Sequence, residues 1–455
     1  MQLCGKQDNF NSKTVQFLLT AVNAYDSLEH LFEISCCKKQ KGGDSKKRLF
    51  RLSGVNYIII VTMSNKNGEE FMMKRKAAFT TAVITVACLS YLSFTAVNAQ
   101  TPVAPVAAGK TYSGTVYVAG MGGHFAKADV TIDPSNENDP IKVNNLDRIV
   151  IGDKKTHPTH DARIDSNDPN TMFWSTYVLD PNNKVHVGKS DLKTGNVIQD
   201  VAMRPDASAP GSKPPLYCAS GQNAKYYMPI FMGVEGYVDV FEKATMKHKE
   251  RVWISDLGYE KGTYQFTHGT NSADMKTLLL AINRTKDGKS TGDIDFIVVD
   301  MASLEKGKFK QLAKNTLKGA PGKTITFREY YSNDGKVIFQ AAADRLWVLD
   351  AATLKLVDEK MMPEGSQLHD AQPTPDGKYA LLTLRTVTAG CDMDGKAIVK
   401  EGKGVDITDG TLVLYDADAK KVSSKTTSVC LACHKGMALG DKNAVLCGLD
   451  TAWKK

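Results

Sequence analysis

Cys430, Cys433 and His434 stand as C-x-x-C-H within SVCLACHKGM, residues 428–437. Two thiols at this spacing can add to the vinyl groups of a porphyrin as thioethers, and a histidine directly after the second is held beneath the iron as proximal ligand. This is the attachment pattern of a single covalent haem c. A Cys2His fragment of a zinc site would need a fourth donor, which Cys447 could supply, but it does not require the histidine next to the cysteine. The motif ends 21 residues from Lys455, too few to fold around a porphyrin. Whatever surrounds the haem and supplies its distal ligand must come from upstream.

Haem attachment of this kind sets a compartment. Residues 72–99, MMKRKAAFTTAVITVACLSYLSFTAVNA, have a basic start, an apolar run from Ala77 to Leu92 and small residues at Val97-Asn98-Ala99, the pattern of a cleaved secretory signal peptide. The apolar run falls short of the roughly 20 residues a membrane span needs, so no transmembrane anchor is expected in the mature chain. Cleavage after Ala99 places residues 100–455 in the periplasm or another extracytoplasmic compartment. The signal begins at Met72, and the codons of Gly68-Glu69-Glu70 just ahead of it are necessarily purine-rich, like a ribosome-binding site. Residues 1–71 are therefore expected to be a non-native leader, with Met72 or Met73 as the start.

Without residues 1–99 the chain keeps 45 basic and 43 acidic residues, so its charge gives no reason to expect nucleic acid or a polybasic membrane contact. Five cysteines remain. With Cys430 and Cys433 on the haem, Cys391 and Cys447 are the expected disulfide and Cys218 stays a thiol.

The elements that must hold this site recur along the chain. A strand, an acidic residue and a tight turn into another strand appear around Asp191, Glu242, Asp300, Asp350 and Asp416, at spacings of 51, 58, 50 and 66 residues. A period near fifty with about four strands per unit predicts an all-β fold, a β-propeller over residues 100–455. Five such units, a strand-rich start (TYSGTVYVAGMGG) and a terminal strand (NAVLCGLDTA) point to seven blades, with six as the alternative. First and last strands are expected to share a blade, which closes the ring and removes an exposed edge. Trp174, Trp253 and Trp347 read as packing between blades.

The V-x-D-x-x-T turns and the stretch HDAQPTPDGKYALLTL resemble the YVTN-type propellers over roughly residues 110–455. That fold is also found in the catalytic domain of nitrous oxide reductase and in several haem-associated periplasmic enzymes. The resemblance is at the level of fold, and propellers host unrelated functions.

In three units a histidine, His160, His268 or His369, precedes the strand expected to be innermost. Aligning KNAVLCGL with GKYALLTL sets His434 within a residue of the place of His369, so the haem is expected in a loop at one end of the central channel. Met437 leaves His434 on the proximal side and cannot reach the far face of the porphyrin. His369 and His268 are the leading candidates for distal ligand, with His160 and His124 behind them. A ring of His160, His268, His369 and His124 could instead hold copper, as the resemblance to the His-rich nitrous oxide reductase implies; the plainer alternative is that these imidazoles orient loops by hydrogen bonds to neighbouring Asp and backbone groups. His157, His186 and His248 are expected to be solvated.

GMGG at 120–123 lacks the rest of a dinucleotide fingerprint, and the chain has no phosphate-binding loop, G-x-S-x-G or H-E-x-x-H. CDMDGK and DPSNENDP could bind calcium but read better as polar turns. The expectation is an exported monohaem c-type cytochrome on a propeller, an oxidoreductase component passing electrons to redox partner proteins such as multihaem cytochromes in a respiratory system. Two alternatives stand beside it: a structural propeller subunit of a multihaem nitrogen-cycle complex, hydrazine synthase-like, and a copper-dependent reductase resembling nitrous oxide reductase.

Overall fold

The computed structural model describes residues 45–51, 58–64, 110–120, 123–153, 155–207, 217–389, 399–400, 402–404, 406–428 and 446–454. The chain divides into two compact units, Met1–Ala104 and Pro105–Lys455. In the first, the described residues form one antiparallel hairpin, β1 (Ser45–Arg51) with β2 (Ile58–Ser64).

The second unit is a propeller of six four-stranded antiparallel sheets. Blade 1 takes β3 (Tyr112–Gly120), β4 (His124–Ile132) and β5 (Ile141–Val150). Blade 2 is β6 (Thr159–Ile164), β7 (Thr171–Thr176), β8 (Val185–Asp191) and β9 (Val197–Met203). Blade 3 is β10 (Tyr217–Gln222), β11 (Tyr226–Phe231), β12 (Tyr237–Glu242) and β13 (His248–Trp253). Blade 4 comprises β14 (Tyr264–Asn271), β15 (Thr277–Lys286), β16 (Lys289–Asp300) and β17 (Gln311–Lys318), and blade 5 β18 (Glu329–Tyr331), β19 (Val337–Ala341), β20 (Arg345–Asp350) and β21 (Leu356–Met361). In blade 6, β22 (Ser366–Pro373) and β23 (Tyr379–Ala389) are followed by a small ribbon, β24 (Val399–Lys400) with β25 (Lys403–Gly404), before β26 (Asp406–Asp416) and β27 (Lys421–Ser428). The last strand, β28 (Leu446–Trp453), returns to pair with β3 as the innermost strand of blade 1.

Burial follows strand order. The inner strands β6 and β7 are almost wholly buried, whereas the outer strands β9, β17 and β21 alternate exposed and half-buried residues, as expected of a strand with one face on its neighbour and one in water. A separate apolar cluster fills each of the six gaps between blades. Trp174 lies between blades 1 and 2, and Trp347 of blade 5 meets Phe296 of blade 4 across the gap between those two blades, ring centroids 6.2 Å apart. Trp253 packs against the cluster between blades 2 and 3.

The recurring acidic residue ends the third strand of its blade and ties the turn to the fourth. Asp191 Oδ1 accepts from the Lys193 and Thr194 amides (2.7 and 2.8 Å), Asp350 Oδ1 from Thr353 (2.8 Å), and Asp416 Oδ1 from Ala419 (2.8 Å). These are side-chain mimics of a backbone turn. Asp133 does the same after β4, accepting from the Ser135 amide at 3.0 Å. The DPSNENDP loop is thus a sixth copy of the repeat. The expectation of seven blades is corrected to six for this reason: the strand-rich start and the terminal strand, counted as separate blades, are strands of one. Their pairing closes the ring as expected.

Among the described residues no helix is long and apolar enough to cross a membrane.

Candidate metal centre

Each blade's first strand contacts the first strand of the next around the central axis. Four of these strands break register at one residue on the same side of the ring: His160 in β6, Cys218 in β10, His369 in β22 and Gly448 in β28. In β14 the break covers Phe266 and Thr267, just ahead of His268. A bulge takes one residue out of the ladder and re-aims its side chain. The three histidines therefore lie within the innermost strands, not in loops ahead of them.

The bulges of β6, β10 and β22 bring His160, Cys218 and His369 together, with one ligand atom from each inside a 4.8 Å span. Cys218 Sγ is 3.7 Å from His369 Nε2. On its other side, His369 Nδ1 meets Asp370 Oδ2 at 2.9 Å, while His160 Nδ1 donates to the Tyr217 carbonyl. Carboxylate and carbonyl can only accept, so both histidines carry their proton on Nδ1 and keep the Nε2 lone pair. His160 is wedged edge-on against Tyr177 with centroids 4.1 Å apart, and His369 lies against Phe327 at 4.6 Å.

Burial dominates the electrostatics. It pushes His160 well below the ordinary histidine value, with the neighbouring His369 adding to the effect. Burial and then Arg385 bring His369 down to about 4, although Asp370 pulls the other way. Both imidazoles are neutral near pH 7. Beneath them Arg328 bridges Asp161 and Asp370 (2.8 and 3.7 Å), all three fully buried. His160-Asp161 and His369-Asp370 thus occupy equivalent positions in two blades and share one guanidinium. Burial of Asp370 is outweighed by His369, Arg328 and the Leu449 amide, which hold its carboxyl far below the usual range. Ser220 and Tyr227 donate to Asp161, and Tyr330 and Thr383 to Asp370.

His268 stands apart from the group of three. Its Nδ1 is 3.2 Å from the Phe266 carbonyl, its Nε2 is buried without a hydrogen-bond partner among the described residues, and burial followed by His369 lowers it to about 3. Phe327 touches both His268 and His369. His124 lies on β4, the third strand of blade 1, and does not join the ring expected of it.

Cys430, Cys433 and His434 lie outside the described residues, as do Cys391 and the side chain of Cys447. The flanking strands correct one expectation. β28 is an innermost strand, the counterpart of β22 and not of β23, so Gly448 and not His434 matches His369. The motif belongs instead to the chain between the outermost strand of blade 6 and the innermost strand of blade 1. A four-stranded antiparallel blade begins and ends at the same face, and the bulges sit near the starts of the first strands. β27 therefore ends, and β28 begins, on the face nearest His160, Cys218 and His369.

Two histidines expected in solvent are not there. His186 on β8 is buried, its Nδ1 2.9 Å from Asp200 Oδ1 and its Nε2 3.4 Å from Asp180, and His157 Nε2 is 3.0 Å from Asp200 Oδ2. His248 on β13 is exposed as expected and meets Asp239 at 2.9 Å. Cys218 had no sequence signal at all; the repeated His-Asp dipeptide did mark the other two members of the group.

No protein family and no curated protein matches this sequence. Among solved structures it is similar to Kuenenia stuttgartiensis hydrazine synthase, with 18% identity, 61% of this chain and 66% of that chain covered, and a TM-score of 0.36. The chain thus spans just under two thirds of that protein's length. It is also similar to the periplasmic gluconolactonase PpgL of Pseudomonas aeruginosa, with 13% identity, 75% and 99% covered, TM-score 0.44, and to a Bacteroides caccae protein of unknown function, with 10% identity, 74% and 98% covered, TM-score 0.40.

Proposed function

We propose that the protein is an exported c-type haem protein whose propeller carries electrons to and from redox partners such as multihaem cytochromes. The observation that carries the reading is the C-x-x-C-H of Cys430, Cys433 and His434 in the chain that leads to β28. The signal-like stretch 72–99 supports export to the periplasm or an equivalent compartment, with residues 1–71 as leader and cleavage after Ala99.

The residues present fit a haem. Cys430 and Cys433 would hold its vinyl carbons and His434 the proximal side of the iron, and the group when bound supplies one-electron chemistry. For the distal side, both nitrogens of His369 already have neighbours in the buried group. His268 is the better donor: its Nε2 is a buried lone pair with no hydrogen-bond partner among the described residues, and burial keeps it unprotonated. An orphan of this kind is costly unless something binds it. A second histidine on the iron gives a low-spin, saturated centre suited to transfer over substrate chemistry. Electron paramagnetic resonance of the oxidised protein tests this: a low-spin signal is expected, converting to high spin in His268→Ala. A high-spin signal in the native protein that His268→Ala leaves unchanged would favour catalysis at an open iron.

A further inference from the structure

We propose that His160, Cys218 and His369 form a mononuclear copper site, separate from the haem motif and not dependent on it. The donor set is two imidazole nitrogens and one sulfur, contributed by three innermost strands whose bulges turn these side chains toward one another.

Two features point to an ion and not to simple packing. The first is the way the histidines are held. Each histidine gives its Nδ1 proton to a fixed acceptor, Asp370 Oδ2 for His369 and the Tyr217 carbonyl for His160. Histidine ligands are held in this way, which leaves the far nitrogen as the one that binds. The acceptors are themselves held, since Asp370 is anchored by Tyr330, Thr383, the Leu449 amide and Arg328.

The second is spacing. A first-row ion about 2.3 Å from sulfur and about 2.0 Å from nitrogen, with ligands spread near 120°, sets those donors about 3.7 Å apart. Cys218 Sγ and His369 Nε2 are 3.7 Å apart.

The class of ion follows from the donors. Among the described residues no fourth ligand joins the group, and all three side chains are buried, His160 at 2% exposure and the other two at 0%. Zinc with nitrogen and sulfur donors takes four ligands, or three and a water. A trigonal His2Cys set is copper's arrangement, and copper(II) outranks zinc in affinity for such donors. The same contacts could be read as a Cys218-His369-Asp370 nucleophile relay. Full burial of all three denies a substrate access to the sulfur, while an ion is small enough to be enclosed.

The test uses the full chain, incubated with copper(II) sulfate, desalted, and analysed for metal content and by X-ray absorption at the copper edge. One copper per chain is expected, with one sulfur and two or more nitrogens around it. Cys218→Ser, which preserves size, and His369→Ala should each reduce bound copper at least tenfold. Cys430→Ala/Cys433→Ala should retain it, which keeps this outcome apart from the fate of the haem. If a variant fails to fold, the sulfur in the copper shell of Cys430→Ala/Cys433→Ala, which lacks the motif's thiols, still decides. A copper shell without sulfur, full copper content in Cys218→Ser, loss of copper in the haem-motif variant, or displacement of copper by an equal concentration of zinc would each overturn the proposal.

Discussion

Replacing Arg328 by Met probes the polar layer that supports the group of three. The guanidinium lies between Asp161 and Asp370 at 2.8 and 3.7 Å, with none of the three exposed. Methionine fills much of the same volume but leaves two carboxylates buried with no cation between them. Removing one partner of a buried ion pair costs about 3–5 kcal/mol, because the surviving charge keeps its desolvation penalty. Unfolding entropy is about 2.1 cal/mol/K per residue, so a propeller of about 340 residues has roughly 0.7 kcal/mol/K and the loss lowers Tm by about 4–7 °C. Calorimetry of Arg328→Met against the native chain measures this. Adding Asp161→Asn and Asp370→Asn should recover part of the loss, since the stranded charge is then gone. A Tm drop below about 1 °C, or a further fall on removing the carboxylates, would refute the view that Arg328 neutralises them.

Three further outcomes are expected. Gly448→Ala should lower Tm by about 1–4 °C, the effect of roughly 1–3 kcal/mol of backbone strain, because Gly448 has φ +63° and a Cβ there would lie 2.6 Å from the His160 carbonyl oxygen and 2.7 Å from Arg328 Nη1; an unchanged Tm would contradict the bulge geometry. Asp200→Asn should cost about 1.5–3 kcal/mol in a pH-dependent way. Burial opposes charge on both His186 and Asp200, yet their mutual bond and the contacts to Asp180 and His157 win, raising His186 and lowering Asp200. A raised histidine stabilises the fold below about pH 6.5 and loses that as pH climbs through its folded value; a lowered carboxylate stabilises it above about pH 3.9 and loses that as pH falls through its own. The deficit of Asp200→Asn measured by urea unfolding should therefore be largest between about pH 4 and 6.5 and shrink by pH 9, and a flat profile would refute the pairing. Finally, peptide mapping of the protein from its native host should find Gln100 as the first residue, and peptides from residues 1–71 would refute the leader reading.

The fold was legible because its repeat is local. An acidic residue at the end of a third strand must cap the turn that follows, so Asp191, Asp300, Asp350 and Asp416 recur at the spacing of a blade. Blade number was not, because the strand-rich start and the terminal strand were each counted beside the five repeats although their sharing of a blade was expected; Leu446–Trp453 pairs with Tyr112–Gly120 to complete one blade and not two. Asp133 was hidden for a simpler reason: the prolines and asparagines around it read as a plain loop. At the site, the His-Asp dipeptides at 160–161 and 369–370 drew notice, but the misjudged strand order placed them in loops. Cys218 joins His369 across 151 residues of sequence, a contact made only when three bulged strands meet at the axis. His186 and His157 looked solvated because their partners, Asp180 and Asp200, lie in the loop before β8 and on an outer strand, which one residue's neighbourhood does not reveal.

The central claim is a covalent haem on the propeller, and intact mass with an alkaline pyridine spectrum tests it most directly. Protein exported by a host with c-type haem maturation should exceed the mass of residues 100–455 by one haem and give the spectrum of a haem with two thioethers, and both should vanish in Cys430→Ala/Cys433→Ala. A native protein with the bare polypeptide mass, or a double variant that still holds its haem covalently, would contradict the account.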